Sequence, residues 1–196
     1  IHFGLTNASI FHPQFNTKLD SVTLTGSYLS ADMLDVSKAE LVLNKVTGKL
    51  GNELFEGSFM YADFNNPTIG FEFKGNLQME TLMNFFPASV LKNAGGSISA
   101  DVSLQGKLND LKKRETVGKV TTTGQLDLRD VTFTYGEANM IFHELNGVAL
   151  FNNNNLAFSG FSGKAGSSDF LLNGILKNFT AHMLLENQPI GIEADL

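Results

Sequence analysis

The sequence predicts a mainly β fold: an antiparallel curved sheet or open β-sandwich of repeated hairpins, with two short helices. The first observation behind this is a recurring phrase of apolar, any, apolar, any, Gly, any, apolar. It reads Val22-Thr-Leu24-Thr-Gly26-Ser-Tyr28, Phe71-Glu-Phe73-Lys-Gly75-Asn-Leu77, Val102-Ser-Leu104-Gln-Gly106-Lys-Leu108 and Phe170-Leu-Leu172-Asn-Gly174-Ile-Leu176. Period-two alternation marks a strand with one apolar face, and a fixed Gly inside it marks a bulge, bend or close backbone approach. Second, tight-turn signals punctuate these runs: Gly51-Asn52, Asn65-Asn66-Pro67, Gly95-Gly96, Gly136-Glu137 and Asn152 to Asn155. Third, two segments break the rhythm with helical character.

In chain order, alternation predicts strands near 20–29, 39–46, 53–62 and 68–78. Met79 to Phe86 then favours a short helix, stopped by Pro87, with a second helical turn through Ala88 to Asn93. Further strands are expected near 97–108, 118–134, 139–151, 155–162, 168–177 and 189–195. Asn178 to Glu186 reads as the second helix, with Asn178 as N-cap and Phe179 and Met183 on one face. Each helix follows directly on a copy of the phrase, at Leu77 and Leu176, so each is placed to plug one end of a sheet. Short strands joined by tight turns argue for an antiparallel meander over βαβ units. The irregular spacing of the copies argues against a strict solenoid.

The chain of 196 residues suits one domain, or two small lobes, 1–111 and 117–196, joined by the polar stretch Asn109 to Thr123. A chain of this length buries roughly 70% of the surface its unfolded form exposes, so it needs no staples. The net charge of −6 argues against nucleic acid as the main partner. The absence of cysteine excludes disulfides, thiolate chemistry and cysteine-based zinc sites. No stretch reaches the roughly 18 to 20 apolar residues of a membrane span. The sequence starts at Ile1 and ends inside an apparent strand, and is read as an excised piece of a longer protein.

No local cluster reads as a catalytic machine. His2, His12, His143 and His182 share no short spacing with one another or with a carboxylate cluster, so no metal is expected. Gly160-Phe-Ser-Gly163-Lys164-Ala-Gly166 lacks the spacing of a phosphate loop, carries Ala165 where Ser or Thr is required, and precedes a strand; it reads as a hairpin turn. Glu72 and Asp101 fall on the polar face of alternating strands, and no nucleophile elbow is present. Asn7-Ala-Ser9 and Asn178-Phe-Thr180 fit the glycosylation triplet, which is common by chance. The run Lys112, Lys113, Arg114 reads either as a solvated loop or as a contact for anionic lipid head groups.

The 17 phenylalanines carry the functional pull. Ile69, Phe71 and Phe73 share a face, as do Phe170 and Leu172, and Leu156 and Phe158. A core explains most of these residues. Phe55, Phe59, Phe85, Phe86, Phe133, Phe142, Phe151 and Phe161 add further aromatic surface that an open sheet leaves as a lined groove.

From Gly124 to Phe179 the order is Gly-Gln-Leu-Asp-Leu-Arg-Asp-Val-Thr-Phe, Glu144-Leu-Asn-Gly147, Leu150-Phe-Asn-Asn-Asn-Asn-Leu156, Phe161-Ser-Gly-Lys-Ala-Gly166 and Ser168-Asp-Phe-Leu-Leu-Asn-Gly174. This succession resembles the C-terminal portion of the AsmA-like family of bacterial envelope proteins. Gly70 to Leu82 and Ser97 to Leu111 resemble the preceding repeats. The resemblance implies an inner-membrane anchor outside this piece and a periplasmic body related to bridge-like lipid carriers, with an association to outer-membrane assembly. It carries no catalytic residue and no cofactor.

Two functions follow as expectations. One is a non-catalytic periplasmic segment that shields or conducts phospholipid chains between the inner and outer membranes. Its lining candidates are Phe71, Phe73, Leu104, Phe158, Phe170 and Leu172, which are equally candidates for plain core; Lys112, Lys113 and Arg114 are the head-group candidates. The partners expected are phospholipid or another lipid, neighbouring repeats of the same chain, and envelope proteins. The other function is a scaffold that aids outer-membrane protein assembly through exposed strand edges. A glycan-binding β domain is a third reading, weakened by the absence of Trp, and an enzyme is the weakest.

Overall fold

The computed structural model describes residues 1–13, 16–32, 35–85, 91–113, 115–184 and 189–195. Among the described residues, eleven strands form one antiparallel sheet in the order β1 to β11, so every strand pairs with its neighbours in sequence. They are β1 (His2–His12), β2 (Thr17–Ser30), β3 (Ala39–Leu50), β4 (Glu53–Ala62), β5 (Thr68–Gln78), β6 (Leu91–Lys107), β7 (Thr121–Tyr135), β8 (Met140–Asn152), β9 (Asn155–Ala165), β10 (Ser168–Lys177) and β11 (Gly191–Asp195). The sheet is curved and does not close, with β1 and β11 as its edges. The alternative of two packed sheets gives way to this single meander.

Alternation and turn chemistry account for most of this. Gly51, Gly136, Asn153 and Gly166 occupy hairpin turns at positive φ, which a tight reversal between twisted strands demands. The phrase glycines serve close approach. At Gly75, a Cβ would press on the Leu54 carbonyl oxygen and on Phe55 of the adjoining strand.

The structure adds one strand, β1, and corrects two expectations about β6. β1 carries no predicted strand, because its alternation breaks at Asn7 and almost every residue in it is exposed. Gly95-Gly96 is not a turn but an irregularity inside β6, with Gly96 at positive φ. Of the second helical turn predicted over Ala88 to Asn93, residues 86–90 lie outside the described residues, while Leu91 to Asn93 open β6. The stretch from Asn109 to Thr123 holds two single-turn 3-10 helices, Asp110–Lys112 and Val117–Lys119, and links the paired strands β6 and β7.

Two register shifts fall at phrase glycines, between Thr25 and Gly26 and between Leu172 and Gly174, and further bulges lie outside the phrase. Asn93, Asp130, Glu144 and Gly160 take positive φ in the successive strands β6, β7, β8 and β9, each beside a shift in register. Side chains from the next strand satisfy two of them: Asp130 N–H donates to Asn146 Oδ1 (2.9 Å), and Gly160 N–H donates to Asn173 Oδ1 (2.7 Å). Bulges aligned across neighbouring strands bend a sheet in one direction.

The helices follow β5 and β10, as expected: α1 (Met79–Leu82), extended by a 3-10 turn over Met83–Phe85, and α2 (Phe179–Leu184). They sit at opposite ends of the strands. Asn178 does not cap α2 with its side chain. It stands at positive φ, and its Oδ1 accepts from Asn154 Nδ2 (2.8 Å). The cap comes from Asn154 in the β8–β9 turn, whose Oδ1 accepts from Ala181 N–H (2.9 Å).

Candidate functional site

Cross-strand register sorts the side chains into rows. One row runs over all eleven strands: Leu5, Leu24, Val46, Gly57, Phe73, Val102, Gly124, Phe151, Leu156, Leu176 and Ile192. The next row reads Phe3, Gly26, Leu43, Phe59, Phe71, Leu104 and Thr122. A third begins Gly48, Phe55, Gly75, Ala100, Leu126, Ala149 and Phe158. Residues directly opposite in a ladder share a face, so these rows form one apolar face. All six lining candidates belong to it.

The helices divide that face into two parts. Over β6 to β10, Met79, Leu82 and Met83 cover Ile98, Val131, Phe142, Leu145 and Phe170 at one end. Phe179 of α2 joins Leu126, Phe151, Leu156, Phe158 and Leu172 at the other. Phe158 is buried there, and Phe170 and Leu172 pack against these clusters, so this trio serves as core.

Over β1 to β5 no helix of the described residues covers the face: Val22 and Leu50 are buried on it, while the part over β4 and β5 is left open. Phe71 is 43% exposed, and Phe55, Phe59, Phe73 and Leu104 are half-buried. Their rings cover one another: Phe55 and Phe73 stack at 6.0 Å between centroids, Phe71 and Phe73 at 6.4 Å. Among the described residues, β1 to β4 pack chiefly against their neighbours in the sheet. Phe71, Phe73 and Leu104 therefore stand together on uncovered apolar surface. Of the head-group candidates, Lys113 is exposed beside its 3-10 turn, while the Lys112 side chain and Arg114 lie outside the described residues.

The opposite face is polar. Ser58 donates to Glu72 (2.9 Å), Ser103 and Thr123 hydroxyls share a bond (2.8 Å), and Lys74 pairs with Asp101 (3.3 Å). Asn44, Ser58, Glu72, Asp101, Ser103 and Thr123 line a shallow hollow of about 570 Å³. No local signal in the sequence points to this hollow, because its members come from five strands and meet only through the register.

Glu144 is held below the usual carboxylate range by its hydrogen bond from Lys164, and Lys164 is raised by the same bond; both groups are solvent-exposed. His143 places Nε2 at 3.1 Å from the Gly166 carbonyl oxygen and Nδ1 at 3.4 Å from Glu144. Among the described residues, no three His, Asp or Glu side chains converge as a metal site would require, and no helix is long and apolar enough to cross a membrane.

The fold and this face define an open antiparallel β meander with an uncovered aromatic surface. Compared with family models, curated proteins and solved structures, the chain matches none.

Proposed function

We propose that this chain is a non-catalytic periplasmic segment of an AsmA-like protein, and that it shields phospholipid acyl chains on their way between the inner and outer membranes. The observation that carries this reading is the uncovered cluster of Phe59, Phe71, Phe73 and Leu104 on one face of β4 to β6. Apolar surface left in water costs about 25 cal/mol per Å². An acyl chain laid against these rings removes water from both surfaces at once. The head group stays in solvent, so the face needs no polar partner to hold it. Binding of this kind is non-directional and lets a chain slide, which suits conduction better than storage.

The test is native mass spectrometry of the purified protein, followed by organic extraction and uptake from labelled phospholipid vesicles. Co-purifying phospholipid is expected, together with its loss in Phe71→Asp at unchanged circular dichroism. A clean apo mass with no uptake from vesicles would sink the proposal.

A further inference from the structure

We propose that the open face holds a phospholipid in one direction, with its acyl chain along β4 to β6 and its ester and phosphate oxygens at the β4–β5 turn, against the phenols of Tyr28 and Tyr61. This rests on the lipid reading above and adds a fixed orientation to it. The face is not uniform along its strands. Tyr28, Leu41, Tyr61 and Ile69 pair in register across β2 to β5, one row beyond Phe59 and Phe71. The rings continue into this row. Phe59 stacks on Tyr61 at 6.4 Å between centroids, and Phe64, from the β4–β5 turn, stands edge-on to Tyr61 (4.9 Å) and Tyr28 (6.2 Å). Phe64 is exposed and both tyrosines are half-buried.

Here the aromatic surface changes character. Among the described residues, no hydrogen bond takes up either phenol. Each is an O–H donor with an apolar ring behind it, the combination that suits Tyr to a boundary between apolar and wet surroundings. Ester and phosphate oxygens are the acceptors that complete such donors. The rest of this end is polar. Leu108 N–H donates to the Pro67 carbonyl oxygen (2.7 Å) and Asn109 Nδ2 to Asn66 Oδ1 (3.2 Å), which ties the β6–β7 link to the β4–β5 turn. Lys107, Lys113 and Lys119 stand here among Asp63, Asp110 and Glu115, so this end carries charges of both signs.

The opposite end of the face is built differently. Leu50 and Met79 are buried there, and Ile98 packs under α1. The Glu53 carboxylate at that end accepts from Gln78 Nε2 (2.8 Å). A phosphate laid against Leu50 and Met79 loses water and gains no donor from them. Between the two ends, the six-residue step from Tyr61 to Phe55 covers about 20 Å. One leaflet of a bilayer's hydrocarbon core is about 15 Å thick, so the aromatic surface has the length of a single acyl chain. Contact with hydrocarbon sets no direction; the two phenols do.

The experiment uses the 196-residue protein, which has no cysteine, so one introduced thiol carries a fluorescent label at a known place. Asn65→Cys puts the label on the exposed β4–β5 turn, and Asn52→Cys puts it on the exposed β3–β4 turn at the other end. Each labelled protein is incubated with phosphatidylcholine vesicles that carry a nitroxide either on the head group or near the acyl terminus, and is then separated from them. The head-group nitroxide is expected to quench the label at 65 more strongly than the acyl nitroxide does, and the order is expected to reverse at 52. Tyr28→Phe/Tyr61→Phe keeps both rings and removes both donors. Its uptake of phosphatidylcholine relative to hexadecane is expected to fall about tenfold. Equal quenching at the two ends, the opposite order, or an unchanged uptake ratio in the double variant would overturn the orientation while lipid binding stands. Absence of quenching by either lipid at either site would sink the lipid reading and this one with it.

Discussion

Phe71 and Phe170 open two copies of the same seven-residue phrase, yet their surroundings differ. Phe71 looks out from β5 with 43% of its surface exposed, while Phe170 packs under α1 beside Leu145 and Phe161. Asp at 71 adds a charge to a surface already wet, and Asp at 170 sets one against the half-buried flank of an apolar cluster with no partner. Phe170→Asp is therefore expected to cost several kcal/mol, on the order of 3 or more, whereas Phe71→Asp leaves the melting temperature nearly unchanged. Gly124 shows a backbone constraint of the same sharpness. It sits at φ +116 with the Asp101 carbonyl oxygen where a Cβ would go. Gly124→Ala is expected to lose at least about 2 kcal/mol in urea unfolding. Gly118→Ala, which meets no atom within 4 Å, should stay within about 0.5 kcal/mol of the parent. The phrase located both phenylalanines on one face. It could not tell open from covered, because that depends on helices placed by contacts remote in sequence.

Among the elements, legibility followed locality. Ten strands and both helices could be read from alternation, turn residues and Pro87, since each signal lies within a few residues of its effect. β1 escaped because pairing with β2, and not burial, makes it a strand. The bulges at Asp130 and Glu144 escaped because no glycine signals the positive φ there, and in the first case the support comes from Asn146 of the neighbouring strand. The cap of α2 escaped in the same way. Asn178 holds the expected position, but Asn154 makes the bond, and it also bonds Asn178 itself. Asn154→Ala removes both contacts. A loss of about 1–3 kcal/mol is expected, with faster amide exchange confined to α2 and the adjacent turn, read by hydrogen exchange with mass analysis.

At the scale of the molecule, the plain meander order makes every long pairing a pairing of sequence neighbours. The two buried clusters lie on β6 to β10 and meet through Phe161, while β2 and β3 bury Val22, Ala39 and Leu50 outside any cluster and β1 is almost wholly exposed. Hydrogen exchange of the monomeric protein is expected to show protection falling from β7 and β8 toward both edges, with β1 and β11 near the fraying limit. Uniform protection across the sheet would contradict this gradient.

The same order has a mechanical side. Tension applied through the two edge strands acts across the strands, so it loads the hydrogen bonds of one ladder at a time instead of shearing a whole ladder together. Such a sheet peels. Each step releases one strand at low force and lengthens the chain by about 3.3 Å per residue, while the helix-covered strands β6 to β10 yield last. A protein of this build behaves as an extensible leash with a resistant knot, able to give way from its β1 side under strain and to re-zip from the half that remains.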